Sequence, residues 1–415
     1  MRALAIGLLS LAACTRVSAT YCDEHPDDLA HCTAPDAGVC SSDPDCAALD
    51  PSTPVCLDQA SCVQCAPDRT SACTDTTPVC GDDHRCHACT SHDECGSGIC
   101  LDTGACAAPA DVAYVQGGAV GDCTSPSSPC GSLEDARVSG RTIFKVSGAV
   151  ADDRLTSLTT GSYRIYGTPG ASVTRAGTGV ILQVKGTANV AIYDLRFTHG
   201  LADGIEQADT TSVLALTRVI IDENAGYGLS AHYGTLTMNG CVVSGNNFGG
   251  VSAADVRFTI TNSIFVVNGD GSQSTVGGLR LSPLGDSRFE FNTVADNFST
   301  TGNHGTRSLN CTAALTVRNN IFRTNYPSTT GISPLCTAEY SLFDQLAPTT
   351  GDNKTGDPMF DQLDPLVPDA PAYYRITAGS PAADSADPSA SMSADIDGDP
   401  RPANGRSDIG ADELP

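Results

Sequence analysis

Seven residues in the middle of the chain have side chains that can act in acid–base catalysis or bind a ligand. They are Glu206, Asp222, Glu223, His232, Tyr233, Arg280 and Asp296. Two carboxylates across a glycosidic bond hydrolyse it, and a base beside Arg, Lys or calcium can cleave an acidic polysaccharide by β-elimination. Charged residues are also the expected composition of a solvated exterior. The sequence favours the exterior interpretation and leaves the seven as candidates for one catalytic face.

Short β-strands that repeat along the chain must position these residues. Gly-aliphatic pairs recur 24, 22 and 28 residues apart, starting at Gly204, Gly228, Gly250 and Gly278. Asparagines follow the β-prone runs at similar intervals, at Asn224, Asn246, Asn268, Asn297 and Asn325. This period is typical of a solenoid, whose successive turns bury one another's aliphatic side chains. We predict that Ile205, Leu229 and Val251 stack in one column and that the asparagines have a structural role at the bends.

The composition agrees with β structure and argues against nucleic acid as a partner. Of 415 residues, 41 are Gly and none is Trp. Lys and Arg total 23 against 48 Asp and Glu, which gives a net charge of −25. Without a basic patch, the protein has no means of binding a phosphate backbone.

The first residues indicate export. Residues 1–13 place one cation before an apolar run, the pattern of a secretory signal peptide. Residues 11–14, Leu-Ala-Ala-Cys, resemble the lipobox of bacterial lipoproteins, whose cysteine, here Cys14, receives a lipid. Cleavage after residues 17–19, Val-Ser-Ala, is the alternative and would yield a secreted protein. We predict an outer-membrane or cell-surface lipoprotein, with residues 14–21 as a linker and the lipid as its only membrane contact.

Residues 22–106 contain fourteen cysteines and almost no aliphatic run. The pattern Thr-Pro-Val-Cys-x5-Cys-x2-Cys occurs at residues 53–65 and again 24 residues later. Cys62, Cys65, Cys86 and Cys89 have the spacing of a zinc ribbon. The export signal and the even number of cysteines favour disulfides, which form in an oxidising compartment. We therefore predict a disulfide-held module with too little apolar surface to fold without its cross-links.

The segment that follows combines a short strand at residues 114–115, Gly-Asp-Cys at 121–123 and Pro-Cys-Gly-Ser-Leu-Glu-Asp-Ala at 129–136. It resembles the beginning of a right-handed parallel β-helix of the pectin-lyase-like type, in which a strand and a short helix cap the open end. The resemblance implies an all-β fold, with a single-stranded right-handed parallel β-helix over residues 111–356 after the disulfide-rich module.

Five cysteines lie in this second part of the chain. Cys123 and Cys130 are close enough in sequence for a local disulfide. Cys311 and Cys336 are 25 residues apart, about one turn of the solenoid, and are predicted to pair between adjacent turns. Cys241 lies within a β-prone run and is expected to be a small buried hydrophobe.

The C-terminal residues carry a second resemblance. Asp-Pro-Met-Phe at 357–360, Gly-Ser-Pro-Ala-Ala-Asp at 379–384 and Asp-Ile-Gly-Ala-Asp-Glu at 408–413 are similar to the choice-of-anchor Q domain. The resemblance covers residues 357–415 and implies a domain that closes a bacterial surface β-helix. Asp395, Asp397 and Asp399 also have the alternating spacing of a calcium loop, whereas the alternative is a capping turn neutralised by Arg401.

The function that these features favour is non-enzymatic. We expect a monomeric surface protein that presents a β-helix for adhesion or for binding a polysaccharide or another envelope component. No cofactor is required, although calcium remains an option at residues 395–399. The alternative is a polysaccharide lyase or glycoside hydrolase acting on acidic polysaccharides. Residues 198–200, Thr-His-Gly, resemble the histidine-glycine motif of polygalacturonases. The paired aspartates and the Arg-x-Lys motif of those enzymes are missing.

Overall fold

The computed structural model describes residues 40–151, 154–269, 276–298, 308–323, 331–361, 374–403 and 405–415. The chain divides into two compact units, Met1–Ala107 and Ala108–Pro415. The signal peptide, Cys14, the linker and the first two cysteines of the module, Cys22 and Cys32, lie outside the described residues, as does Asn325. None of the helices within the described ranges has the length and apolar character to cross a membrane.

The first unit consists of disulfide-linked modules in tandem. Three successive groups of four cysteines each pair first with third and second with fourth: Cys40–Cys56 and Cys46–Cys62, Cys65–Cys80 and Cys73–Cys86, Cys89–Cys100 and Cys95–Cys106. The cysteines with zinc-ribbon spacing thus belong to four different disulfides, and the disulfide interpretation is confirmed. Apart from cysteines, the buried apolar residues of this unit within the described range are Val55, Ala66, Ile99 and Ala107.

Regular structure in these modules is short. It comprises α1 (Asp43–Leu49), β1 (Val55–Leu57), β2 (Ser61–Val63), β3 (Val79–Cys80), β4 (Cys86–His87) and a 3-10 turn (His92–Glu94). Strands β1 and β2 form one antiparallel hairpin, and β3 and β4 form another. Arg69 of the second module donates to the Oδ1 of Asp43 at 2.9 Å and to the carbonyl of Cys56 at 3.0 Å, so it links the first two modules.

The second unit is a parallel β-helix, in which each rung from β6 (Ile143–Ser147) to β25 (Leu309–Cys311) contributes a strand to each of three faces. Face 1 consists of β5 (Val112–Gln116), β6 (Ile143–Ser147), β9 (Ser162–Gly167), β12 (Asn189–Tyr193), β15 (Val213–Thr217), β18 (Thr235–Asn239), the second half of β20 (Gly249–Thr261), β23 (Arg288–Glu290), β26 (Leu315–Arg318) and β28 (Cys336–Glu339). Face 2 consists of β7 (Ala149–Ala151), β10 (Ser172–Thr174), β13 (Arg196–Thr198), β16 (Ile220–Asp222), β19 (Val242–Ser244), β21 (Ile264–Val266), β24 (Thr293–Ala295), β27 (Ile321–Arg323), β29 (Leu342–Phe343) and β30 (Lys354–Thr355). Face 3 consists of β8 (Thr156–Leu158), β11 (Leu182–Val184), β14 (Ile205–Ala208), β17 (Tyr227–His232), the first half of β20, β22 (Leu279–Pro283) and β25 (Leu309–Cys311).

The register of face 3 confirms the predicted solenoid. Ile205 pairs with Leu229, and Leu229 pairs with Val251, so these three side chains form one fully buried column. A Cβ at Gly204 would lie 2.7 Å from the Cγ2 of Ile221 and 2.8 Å from the carbonyl oxygen of Gly228. Glycine recurs at this position because the bend brings the backbone against the core.

A strand and a helix cover the N-terminal end of this core. A 3-10 turn (Pro109–Asp111) leads into β5, and α2 (Leu133–Val138) begins after Ser132, whose Oγ accepts the N–H of Asp135 at 3.1 Å. Leu133 and Ala136 of α2 are buried in the core. A disulfide joins Cys123 to Cys130 beside β5, and a second joins Cys311 to Cys336 in adjacent rungs. Cys241 is buried and unpaired, and desolvation raises the pKa of its thiol to about 12.

The described C-terminal residues lie along the flank of the β-helix, where they pack on face 2. Ile396 and Ala411 pack with Ile264 and Val266, and Ile376 and Ile409 pack with Ile321 and Leu342. The physical reason lies in face 2, whose outward residues in these rungs are apolar and require a cover. We refer to residues 374–415 as the flanking segment.

Candidate functional site

The seven candidate residues lie on different parts of the β-helix and do not converge in one cleft. Glu206, His232 and Arg280 point outward from face 3, and Tyr233 follows at the next bend, where its side chain is 48% exposed. Asp222, Glu223 and Asp296 lie at the ends of face 2 strands, around the bend that leads to face 3. The single catalytic face that the sequence raised as a possibility is therefore divided into separate groups.

Polar side chains on face 3 form a row along the axis of the solenoid. The Oγ of Ser157 donates to Gln183 at 3.1 Å, and the Nε2 of Gln183 donates to Glu206 at 3.1 Å. Ser230 occupies the next position of the row, and its Oγ lies 3.4 Å from the Nε2 of the exposed His232. Stacked strands produce this row because equivalent outward positions of neighbouring rungs lie about 4.8 Å apart.

Asp203 joins this group, although sequence reasoning missed it. Its Oδ1 accepts the N–H of Tyr227 at 2.8 Å. Partial burial raises the pKa of the Asp203 carboxyl, and the nearby charge of Glu206 raises it further, whereas a hydrogen bond from Ser230 opposes the shift. The sequence signal that could have identified Asp203 is its position directly before Gly204, the first glycine of the Gly-aliphatic series. We call Asp203, Glu206, Ser230 and His232 the face 3 cluster.

A groove of about 590 Å³ opens on face 2, in the rungs that the flanking segment leaves uncovered. Its floor contains Ser172, Thr174, Arg196, Thr198 and Ile220, and its sides include Asp194, Arg218 and His199. Polar and apolar groups thus alternate across one concave surface.

Bend residues with left-handed backbone conformation form the sides of this groove. Asp194 and Arg218 occupy equivalent bends before face 2, with φ values of 55° and 53°. His199 and Glu223 occupy equivalent bends after it, with φ values of 56° and 52°. Each of these conformations is costly for a residue with a Cβ, and the stacked strands on either side hold it in place. Successive bends therefore bring Asp194 beside Arg218 and His199 beside Glu223.

Two arginine–carboxylate ion pairs and one histidine–carboxylate contact between described residues line or border the groove. The Nε and Nη2 of Arg218 donate to the two carboxylate oxygens of Asp194 at 2.6 and 2.7 Å. The Nε2 of His199 lies 2.6 Å from Glu223. Arg196 donates through its Nε to Asp222 at 2.9 Å and through its Nη2 to the other carboxylate oxygen, and the side chain of Asp222 is fully buried. Each of these two arginines is therefore held in place by a carboxylate.

The remaining candidate on face 2, Asp296, binds the flanking segment. Its Oδ2 accepts the hydroxyl of Tyr374 at 2.6 Å and the Nη1 of Arg323 at 2.8 Å. Desolvation raises the pKa of this carboxyl, and the contacts with Tyr374 and Arg323 partly offset the rise. Asp296 therefore helps to hold the flanking segment against face 2 and does not face the groove.

The residues with calcium-loop spacing lie in a turn in which protein donors bind their carboxylates. Carboxylate oxygens of Asp395, Asp397 and Asp412 lie within 4.8 Å of one another. The Oδ1 of Asp395 accepts the N–H groups of Asp397 and Asp399 at 2.9 and 2.8 Å. Arg375 binds both carboxylate oxygens of Asp397, at 2.6 and 2.7 Å. The capping-turn interpretation accounts for these contacts, with Arg375 in the role that the sequence suggested for Arg401.

Comparison with known proteins agrees with the strand topology. Residues 179–342 match the family described as right handed beta helix region. The second unit is a right-handed β-helix. Residues 15–112 match a family of unknown function, DUF8331. No curated protein matches the chain. Among solved structures, the β-helix is similar to the crystal structure of pectate lyase Pel9A, with 13% identity, coverage of 73% of this chain and 96% of that chain, and a TM-score of 0.47.

Proposed function

We propose that the protein is an exported, lipid-anchored surface protein that binds a glycan in the face 2 groove without cleaving it. The observation that carries this proposal is the set of ion pairs in the groove. The Arg218–Asp194 and Arg196–Asp222 pairs hold hydrogen-bonding groups in fixed positions, and Ile220 supplies an apolar surface beside them. Sugars present hydroxyl groups and apolar C–H faces together, and this combination suits such a surface.

The same ion pairs make catalysis in the groove unfavourable. A general acid or base must exchange a proton with the substrate at its reacting atoms. The carboxylate of Asp222 is fully buried and bound by Arg196, and that of Asp194 is bound by both Nε and Nη2 of Arg218. Binding without chemistry is therefore the function that we assign to the groove.

Export and display belong to the same proposal. Six disulfides among the described residues of the first unit are typical of a protein that matures outside the cytoplasm. We propose that Cys14 carries the lipid, that the disulfide modules act as a spacer, and that residues 357–415 are of the choice-of-anchor Q type. Radiolabelled palmitate should label the full chain expressed in a bacterium, and Cys14→Ser should remove the label. A labelled Cys14→Ser protein would contradict the anchor.

The binding proposal is tested with a glycan array and isothermal titration. The protein is the full chain with Cys14→Ser, which keeps it free of lipid. Arg218→Ala should weaken binding about tenfold or more, because it removes charge-assisted hydrogen bonds. The control is Arg257→Ala, since Arg257 forms an ion pair with Asp286 at 2.7 Å and has a similar exposed fraction, 60% against 56%. Equal affinity of the two variants would contradict the proposal.

A second candidate function is glycoside hydrolysis at the face 3 cluster. It is favoured by one specific observation, which is that the half-buried Asp203 has a raised pKa and lies near Glu206. That reaction requires two carboxyl groups in one site, one of which acts as the general acid. New reducing ends released from a polysaccharide panel, and lost in Asp203→Asn and Glu206→Gln, would establish it. Activity that both variants retain would exclude this site.

A further inference from the structure

We infer that the ligand of the face 2 groove is a short, uncharged oligosaccharide, because the flanking segment occupies the rest of the same face. This inference rests on the proposed function, since it concerns the length and the charge of the glycan that the groove binds.

The outward positions of face 2 show where the open part ends. Among the described residues, the column that contains Ala149, Ser172, Arg196 and Ile220 is exposed or half-buried, and the flanking segment does not cover it. The same column continues through Val242, Ile264, Thr293, Ile321 and Leu342, and the apolar residues of this second set pack against the flanking segment. Four open rungs span about 14 Å, since neighbouring strands lie about 4.8 Å apart.

The turn around Ile396 forms the boundary. Gly240 occupies the bend one rung after Arg218, and a Cβ at Gly240 would lie 3.8 Å from the carbonyl oxygen of Ile396. One rung further, the Nδ2 of Asn262 donates to the carbonyl of Ala394 at 2.9 Å. Ile396 is 8% exposed and packs on Ile264. A ligand chain that runs along face 2 therefore meets the protein's own backbone immediately after Arg218.

The charged groups around the groove indicate that its ligand is uncharged. Arg196 and Arg218 are each bound by a carboxylate, so a uronic acid would have to displace Asp222 or Asp194 in order to pair with them. The adjoining turn contributes the exposed carboxylate of Asp399, and the whole chain has a net charge of −25. Anionic sugars are repelled under these conditions, whereas hydroxyl groups find donors and acceptors at no electrostatic cost.

The experiment measures affinity against chain length and charge. Neutral oligosaccharides and uronic-acid oligosaccharides of matched lengths, from two to eight rings, are titrated into the full chain with Cys14→Ser. We expect the affinity for the neutral series to rise over the first few rings and then to stay constant. The uronic-acid series should bind at least tenfold more weakly. Affinity that keeps rising from four to eight rings, or uronic acids that bind as well as neutral sugars, would overturn the inference.

Two further variants separate this inference from the proposed function. Ser172→Tyr fills the floor of the groove from an outward, half-buried position and should abolish binding of every neutral oligosaccharide. Its control is Thr237→Tyr, at an exposed outward position of face 1. If Ser172→Tyr binds normally, the groove is not the site and the proposed function fails. If Ser172→Tyr abolishes binding but affinity still rises to eight rings, the site stands and only the limit on length fails.

Discussion

The Nδ2 of Asn246 donates to the Oδ1 of Asn268 at 2.9 Å, and the same oxygen accepts the backbone N–H of Asn246 at 3.1 Å. Asn224 makes the equivalent contacts to Asn246, and Asn268 makes them to Asn297. All four side chains are buried, with exposed fractions of 0 to 3%. The asparagines therefore form a ladder along the bend between faces 2 and 3, and this ladder satisfies backbone groups that the bend removes from the sheets.

Asn246→Ala should reduce the free energy of unfolding by about 3 kcal/mol, because it leaves donors and acceptors of Asn224, Asn268 and Ile221 buried without partners. Guanidinium unfolding followed by circular dichroism measures the change. The control is Asn247→Ala, whose side chain is exposed and which should differ from the native protein by less than about 0.5 kcal/mol. Equal stability of the two variants would show that the ladder contributes nothing.

Asp412→Asn should stabilise the protein at pH 8 and leave it unchanged at pH 4. Burial raises the pKa of Asp412 from 3.8 to about 6, against the opposing effect of Arg375, while Asp395 and Asp397 add to the rise. The folded state therefore binds this proton more tightly than the unfolded chain, and the resulting stability is lost as the pH rises through about 6. We expect a gain of about 2 kcal/mol at pH 8 from urea unfolding.

The control for this variant is Asp286→Asn, because the side chain of Asp286 is 82% exposed. It should show the pH dependence of the native protein. An Asp412→Asn protein that is less stable than the native one at pH 8 would mean that the contact with Arg375, at 3.6 Å, outweighs the cost of burial.

Replacing Cys311 and Cys336 together by Ala should reduce the free energy of unfolding by about 3 kcal/mol, because the cross-link restricts a loop of the unfolded chain. Guanidinium unfolding without reductant measures it. A thiol assay that finds both cysteines free in the native protein would contradict the pairing.

Mass spectrometry of the unreduced, proteolysed protein should find Cys65 linked to Cys80 and Cys73 linked to Cys86, and the same first-to-third and second-to-fourth pattern in the neighbouring modules. The purified protein should contain no stoichiometric zinc, since the sulfur atoms are used in disulfides. Free thiols at Cys62, Cys65, Cys86 and Cys89 together with bound zinc would restore the zinc-ribbon interpretation.

The repeating part of the fold was accessible from the sequence because every rung takes its neighbours from equivalent positions of the adjacent rungs. Periodicity along the chain is then periodicity in space, which is why the spacing of Gly204, Gly228 and Gly250 predicted the column that Ile205, Leu229 and Val251 form. The structural role of the bend asparagines could be predicted for the same reason, since a residue that recurs at one position of each rung lies next to its equivalent in the adjacent rung.

The functional surface depended on tertiary structure. Glu206 and Asp222 are close in sequence, yet they point from different faces, because the bends between them determine the direction of each side chain. Arg218 meets Asp194 only through the stacking of rungs 24 residues apart. Which rungs of face 2 stay open was set by the flanking segment, whose contact between Ala394 and Asn262 spans 132 residues. Contacts of that range leave no local pattern in the chain, so the sequence supplied the rungs and their core, and the packing of distant segments decided where a ligand can bind.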